Sequence, residues 1–154
     1  MDSIWKRQQD VIKAKDIAKQ YYDKETFEHA ERVAEYVEQN EFIPIGYKVD
    51  CICLAWMHDL LEDTDYKNEP QFKTESTTYL NAIGFEKCLE LLTRQKDMDY
   101  ISYICKMKNE NIPKIVRQVV WYVKLADIKD HLIQKDTLPN SLRDRYMWAL
   151  SYLL

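Results

Sequence analysis

The stretch Ala55-Trp56-Met57-His58-Asp59-Leu60-Leu61-Glu62-Asp63-Thr64-Asp65 sets an imidazole beside a carboxylate and follows them with further carboxylates inside an apolar run. Read as helix, it places His58 and Glu62 four residues apart on one face, and Asp59 and Asp63 likewise, so four polar side chains leave one wide sector. Leu54, Ala55, Met57, Leu60 and Leu61 surround them. Charges among apolar neighbours are costly unless compensated, and a divalent cation is the compensation such donors suit. The same apolar density predicts that this helix, over about 48–63, is the central one of the fold.

The punctuation on either side is sparse. Two glycines, Gly46 and Gly84, and four prolines, Pro44, Pro70, Pro113 and Pro139, are all that interrupt the chain, and the pattern between them is helical. An all-α architecture follows. With 154 residues, 46% of them hydrophobic, the chain is long enough for one buried core and too short for two, so a single domain over 1–154 is expected.

Outward from the motif, a first helix is predicted over 4–22, with Trp5, Val11, Ile12, Ile17, Ala18 and Tyr21 as its apolar stripe. Asp23 or Thr26 caps a second helix whose buried face is Phe27, His29, Ala30, Val33, Ala34 and Val37. After the central helix, residues 66–73 read as a loop beside the site. Short helices over about 75–83 and 85–92 are separated by Gly84 acting as a left-handed cap. Asp97-Met98-Asp99 starts the next helix, Asn111-Ile112-Pro113 opens a long one to about Ile133, and the last begins near Ser141.

Charge and composition exclude several functions. The formal net charge is -4 with both signs interspersed, and no lysine or arginine stripe offers a groove to polymeric nucleic acid. The N-terminal residues lack an apolar signal core, and nowhere do about 18 apolar residues run without charge, so a soluble, cytoplasmic protein with no membrane partner is expected. Cys51, Cys53, Cys88 and Cys105 contain no CxxC pair, and are read as small reduced hydrophobes rather than a structural zinc site.

A site for one divalent metal with open positions combines imidazoles with carboxylates and leaves room for water. His29, His58, Asp59 and Asp127 form such a set, each on a predicted helix with apolar surroundings. Asp127 lies in Val123-Lys124-Leu125-Ala126-Asp127-Ile128, an acid inside a segment otherwise built for burial. It needs a partner there.

The order of these residues, a single His, then His58-Asp59-Leu60-Leu61-Glu62-Asp63-Thr64, then Val123-Lys124-Leu125-Ala126-Asp127, resembles the HD-domain metal-dependent phosphohydrolases. Within them it is most similar to the RelA/SpoT-type (p)ppGpp 3'-pyrophosphohydrolase domains and small stand-alone alarmone hydrolases. Leu92-Thr93-Arg94 and Tyr100-Ile101-Ser102-Tyr103-Ile104 add to the likeness, which covers roughly residues 20–154.

The resemblance implies a single-domain HD-type helical bundle. It also implies one metal ion, usually manganese, held by His29, His58, Asp59 and Asp127, with Glu62 and Asp63 as catalytic acids. Its substrate would be a small nucleotide or pyrophosphate, a (p)ppGpp-like alarmone in its most specific form. Other HD nucleotidase or phosphodiesterase action, or a module that binds nucleotide or protein without turnover, are the alternatives. Lys124, Arg94 and Lys96 are the candidate phosphate contacts. His131 stands where alarmone hydrolases carry an Asn that holds the nucleotide. Two readings of it remain open, pocket lining or a surface residue in the last turn of its helix.

Overall fold

The computed structural model describes residues 2–64, 82–134 and 138–154. Among them the chain is all helix: α1 Asp2–Tyr21, α2 Lys24–Gln39, α3 Ile45–Met57, the single turn α4 Leu60–Asp63, α5 Ala82–Leu91, α6 Tyr100–Lys106, α7 Lys114–Ile133 and α8 Asn140–Leu153. The predicted loop over 66–73 and most of the short helix over 75–83 lie outside the described residues.

The caps explain where these helices begin. Asp23 accepts from the Thr26 backbone N–H at 2.7 Å, and Asp99 accepts from that of Ser102 at 2.7 Å, satisfying donors that the first turns of α2 and α6 leave open. Pro44, Pro113 and Pro139 precede the first residues of α3, α7 and α8 with extended backbone. The α2–α3 corner is closed by Lys48, whose ammonium donates to the carbonyls of Val37 and Glu38, both at 2.9 Å, and to that of Asn40. These are among the carbonyls that the end of α2 leaves without an intrahelical partner.

Helix α3 is central, as expected. It packs against α1, α2, α5 and α7, and Cys51, Cys53, Leu54, Ala55 and Met57 are fully buried. Buried Ala14, Ile17 and Ala18 supply the α1 side, Ala30, Val33 and Val37 the α2 side, and Val116, Val119, Val120 and Val123 the α7 side. Ile12, expected in the α1 stripe, is instead half exposed. No helix among the described residues is long and apolar enough to cross a membrane.

Two sequence expectations are corrected. The helix expected to run unbroken to Asp63 ends at Met57, turns through His58 and Asp59, and restarts at Leu60. Asp59, at φ −98° and ψ 2°, lies in the bridge region that breaks a helix without requiring glycine. Gly84 does not cap: it lies within α5, and no glycine among the described residues has positive φ.

Burial pushes the Cys51 and Cys88 thiols well above their ordinary range, Cys53 is also buried, and Cys105 is half-buried. Thiolates carry the reactivity of cysteine. Brief alkylation of the native protein should therefore label Cys105 alone, with the other three reacting only after denaturation. Native labelling at Cys51 or Cys88, read by peptide mass spectrometry, would contradict this packing.

Candidate metal centre

The break at His58–Asp59 makes the site. In a continuous helix adjacent side chains diverge and cannot meet at one point. Here the turn brings Asp59 Oδ2 to 3.2 Å from His58 Nε2. The Asp59 backbone N–H, released by the turn, donates to the Tyr22 hydroxyl at 3.1 Å. Thr64 closes the following turn, its hydroxyl donating to the Leu60 carbonyl at 2.6 Å.

Helices α2 and α7 bring the remaining members. His29 Nε2 is 2.8 Å from Asp127 Oδ1 and 3.9 Å from Asp59 Oδ2. His58 Nε2 is 3.4 Å, and His131 Nε2 3.2 Å, from the same Asp127 Oδ1. Three imidazole nitrogens and two carboxylate oxygens thus converge. His29, His58 and Asp59 form one triplet whose ligand atoms lie within 4.8 Å of one another, and His29, Asp127 and His131 form a second. Donors bound at ~2.1 Å to a common cation stand ~3.0–3.5 Å apart in octahedral or tetrahedral geometry, and these spacings bracket that range.

The orientation of the rings fits a cation as well as their spacing does. The His58 Nδ1–H donates to the Ala55 carbonyl at 2.7 Å, which leaves Nε2 of the neutral ring as a lone pair. That atom is buried without a hydrogen-bond partner among the described residues and faces two carboxylate oxygens. Lone pairs opposed in this way are repulsive until a proton or a metal ion stands between them. His29 is set similarly: its Nδ1 lies 2.6 Å from Asp130 Oδ2, turning Nε2 to the centre.

The charges show how strongly the acids demand compensation. Burial alone would lower the His29 imidazole, but the hydrogen bonds to Asp127 and Asp130 outweigh it and hold it up to about 9. Burial opposes protonation of His58 too, and the Asp59 and Asp127 carboxylates overcome it, raising the ring well above its usual value. Asp127, which burial would push up, is held well below the carboxylate range by Lys124 and by the three imidazoles. Asp59 is lowered by His58 against the same burial penalty. Protons on His29 and His58, or a cation in their place, can supply this positive charge.

Around the donors stands a supporting set, of which Asp130 was not singled out from the sequence. Asp130 is buried, receives Arg32 Nε at 2.7 Å and Nη2 at 3.0 Å, and accepts from the Tyr36 hydroxyl at 3.3 Å. A carboxylate fixed in this way orients the His29 imidazole and raises its basicity. The signal was in the spacing: His29, Arg32 and Tyr36 follow an i, i+3, i+7 face of α2, and Asp127, Asp130 and His131 an i, i+3, i+4 face of α7. Lys124 is buried, with its ammonium 2.8 Å from Asp127 Oδ2 and 3.3 Å from the Tyr103 hydroxyl. Lys124, named above as a candidate phosphate contact, is thus turned to Asp127.

The other predicted site residues separate. His131 is turned to the centre, its ring stacked on Tyr146 at 4.6 Å and 2°, and it joins the donor set rather than the open surface. Glu62 belongs to neither triplet; its Oε1 accepts from the Arg94 backbone N–H at 3.2 Å. Arg94 is half-buried and Lys96 exposed, both in the segment after α5. The side chain of Asp63 lies outside the described residues.

If this centre holds a metal, Asp130→Asn should weaken its affinity by roughly 10–100-fold, and His58→Ala should reduce the bound metal to background in elemental analysis. Undiminished stoichiometry in His58→Ala would remove it from the ligand set. Comparison of the chain with protein-family models, with curated proteins and with solved structures returns no match.

Proposed function

We propose that the protein is a metal-dependent phosphohydrolase of the HD type acting on a small nucleotide or pyrophosphate, with a (p)ppGpp-like alarmone as the most specific candidate and Mn2+ as the metal. The observation that carries this reading is the convergence of His29, His58 and His131 Nε2 with Asp59 Oδ2 and Asp127 Oδ1 on one point. Five donors leave a sixth position open in an octahedral site. A divalent cation held there would supply Lewis acidity toward a phosphoryl oxygen and a lowered pKa for a water.

The charge balance suits an anionic substrate. Asp59, Asp127 and Asp130 are set against two fixed cations, Arg32 and Lys124, so the neutral-imidazole site carries one net negative charge. A divalent ion makes it net positive. Lys124 holds Asp127 Oδ2 and leaves Oδ1 to the centre, while Asp130 fixes His29. Glu62 would accept a proton from the attacking water, with Asp63 assisting. Arg94 and Lys96 would contact phosphate.

A second reading, a module that binds a nucleotide without turnover, is favoured by one detail: Glu62 is bonded to the Arg94 backbone rather than joined to the donor cluster. Turnover decides between them. Protein supplied with manganese and screened against guanosine and adenosine 3',5'-polyphosphates, ordinary nucleotides and cyclic dinucleotides should release phosphate or pyrophosphate from at least one. Glu62→Gln should keep its metal and lose about 100-fold or more of that rate. Binding without release across the panel would favour the second reading, and an unimpaired Glu62→Gln would take Glu62 out of the mechanism.

A further inference from the structure

An aromatic layer lies beside the centre, and one hydroxyl in it is buried without a partner among the described residues. Tyr103 donates to the Leu92 carbonyl at 2.9 Å and accepts from Lys124 at 3.3 Å, so its roles are filled. Tyr146 stacks on His131. Tyr100, the first residue of α6, sits between them, its ring 5.7 Å from that of Tyr103 and 6.3 Å from that of Tyr146. Its hydroxyl is buried and has no hydrogen-bond partner among the described residues. Such a group forfeits its hydration with nothing in return and calls for a reason.

The surroundings of that hydroxyl supply one. Lys124, Arg145 and Arg94 act on it electrostatically, opposed by Asp127, while burial sets the overall direction and raises the phenol above its usual range. The Arg145 guanidinium lies 4.9 Å from the centre of the Tyr100 ring. An O–H donor in a field dominated by cations is complemented by an anionic acceptor rather than by another donor. Both aromatic neighbours lead to Asp127, one through Lys124 and the other through His131.

We propose that the Tyr100 hydroxyl is a substrate-binding group, donating to an oxygen of a phosphoryl group seated at the His29–His58–Asp127 centre, with Arg94 and Arg145 reinforcing the same anion subsite. The proposal rests on the phosphohydrolase reading and names a contact which that reading does not contain. It also explains why the position carries Tyr rather than Phe, since the packing alone gains nothing from a hydroxyl without a partner.

The test uses manganese-loaded wild type and Tyr100→Phe, titrated calorimetrically with inorganic phosphate, with metal content and Tm measured on the same samples. Tyr100→Phe should hold the same manganese, melt at the same temperature or higher, and bind phosphate about tenfold more weakly. Tyr103→Phe, which removes a hydroxyl bonded on both sides, should by contrast lower Tm. Equal phosphate affinity in wild type and Tyr100→Phe would overturn the subsite, as would a Tm loss in Tyr100→Phe, which would make its hydroxyl structural. A wild type that binds manganese but no phosphate would likewise overturn the subsite, while release from the nucleotide panel tests the phosphohydrolase reading separately.

Discussion

The structure depends on one buried carboxylate. Asp127 sits on the face of α7 that meets α2 and α3, in a segment of valine, leucine, alanine and isoleucine, where an uncompensated charge would cost several kcal/mol. Its two oxygens divide the work. Oδ2 is neutralised by Lys124, three residues earlier on the same helix, and Oδ1 is the common neighbour of three imidazoles from α2, from the end of α3 and from α7 itself. The arrangement ties the three helices together through contacts that converge on one carboxylate. The fold and the site are therefore one electrostatic problem.

The turn at His58 and Asp59 is the other half of that problem. Straight helices present one residue per hundred degrees, so neighbouring residues cannot both reach a common centre. Ending α3 at Met57 and restarting at Leu60 lets consecutive side chains converge, and the Tyr22 hydroxyl satisfies the backbone donor that the interruption frees. Tyr22, the residue after α1, thus supports the centre without contributing a donor to it. Asp130, held by Arg32 and Tyr36, does the same from behind His29.

Much of this was legible in the sequence. The all-α class followed from scarce glycine and proline, and the central position of α3 from its apolar density. His29, His58, Asp59 and Asp127 stood out as acids and imidazoles in segments otherwise built for burial, and the structure brings all four together. What was not legible had physical reasons. The helix break carries no glycine or proline, because the bridge-region conformation of Asp59 asks for neither. Nothing in its own segment distinguishes Asp130, whose partners His29, Arg32 and Tyr36 all lie on α2. His131 could be pocket or surface because its position near the end of α7 fixes its face but not what lies opposite; Tyr146, on another helix, decides it. That the Tyr100 hydroxyl is buried without a partner among the described residues is a purely three-dimensional fact.

The central claim is that these five side chains hold a metal ion. Anomalous diffraction from crystals grown with manganese tests it most directly. The account predicts a single strong peak within about 2.0–2.3 Å of the Nε2 atoms of His29 and His58 and of Asp127 Oδ1, with His131 and Asp59 completing the shell. Ordered crystals that show the five side chains converged at saturating manganese, with no anomalous peak among them, would contradict it.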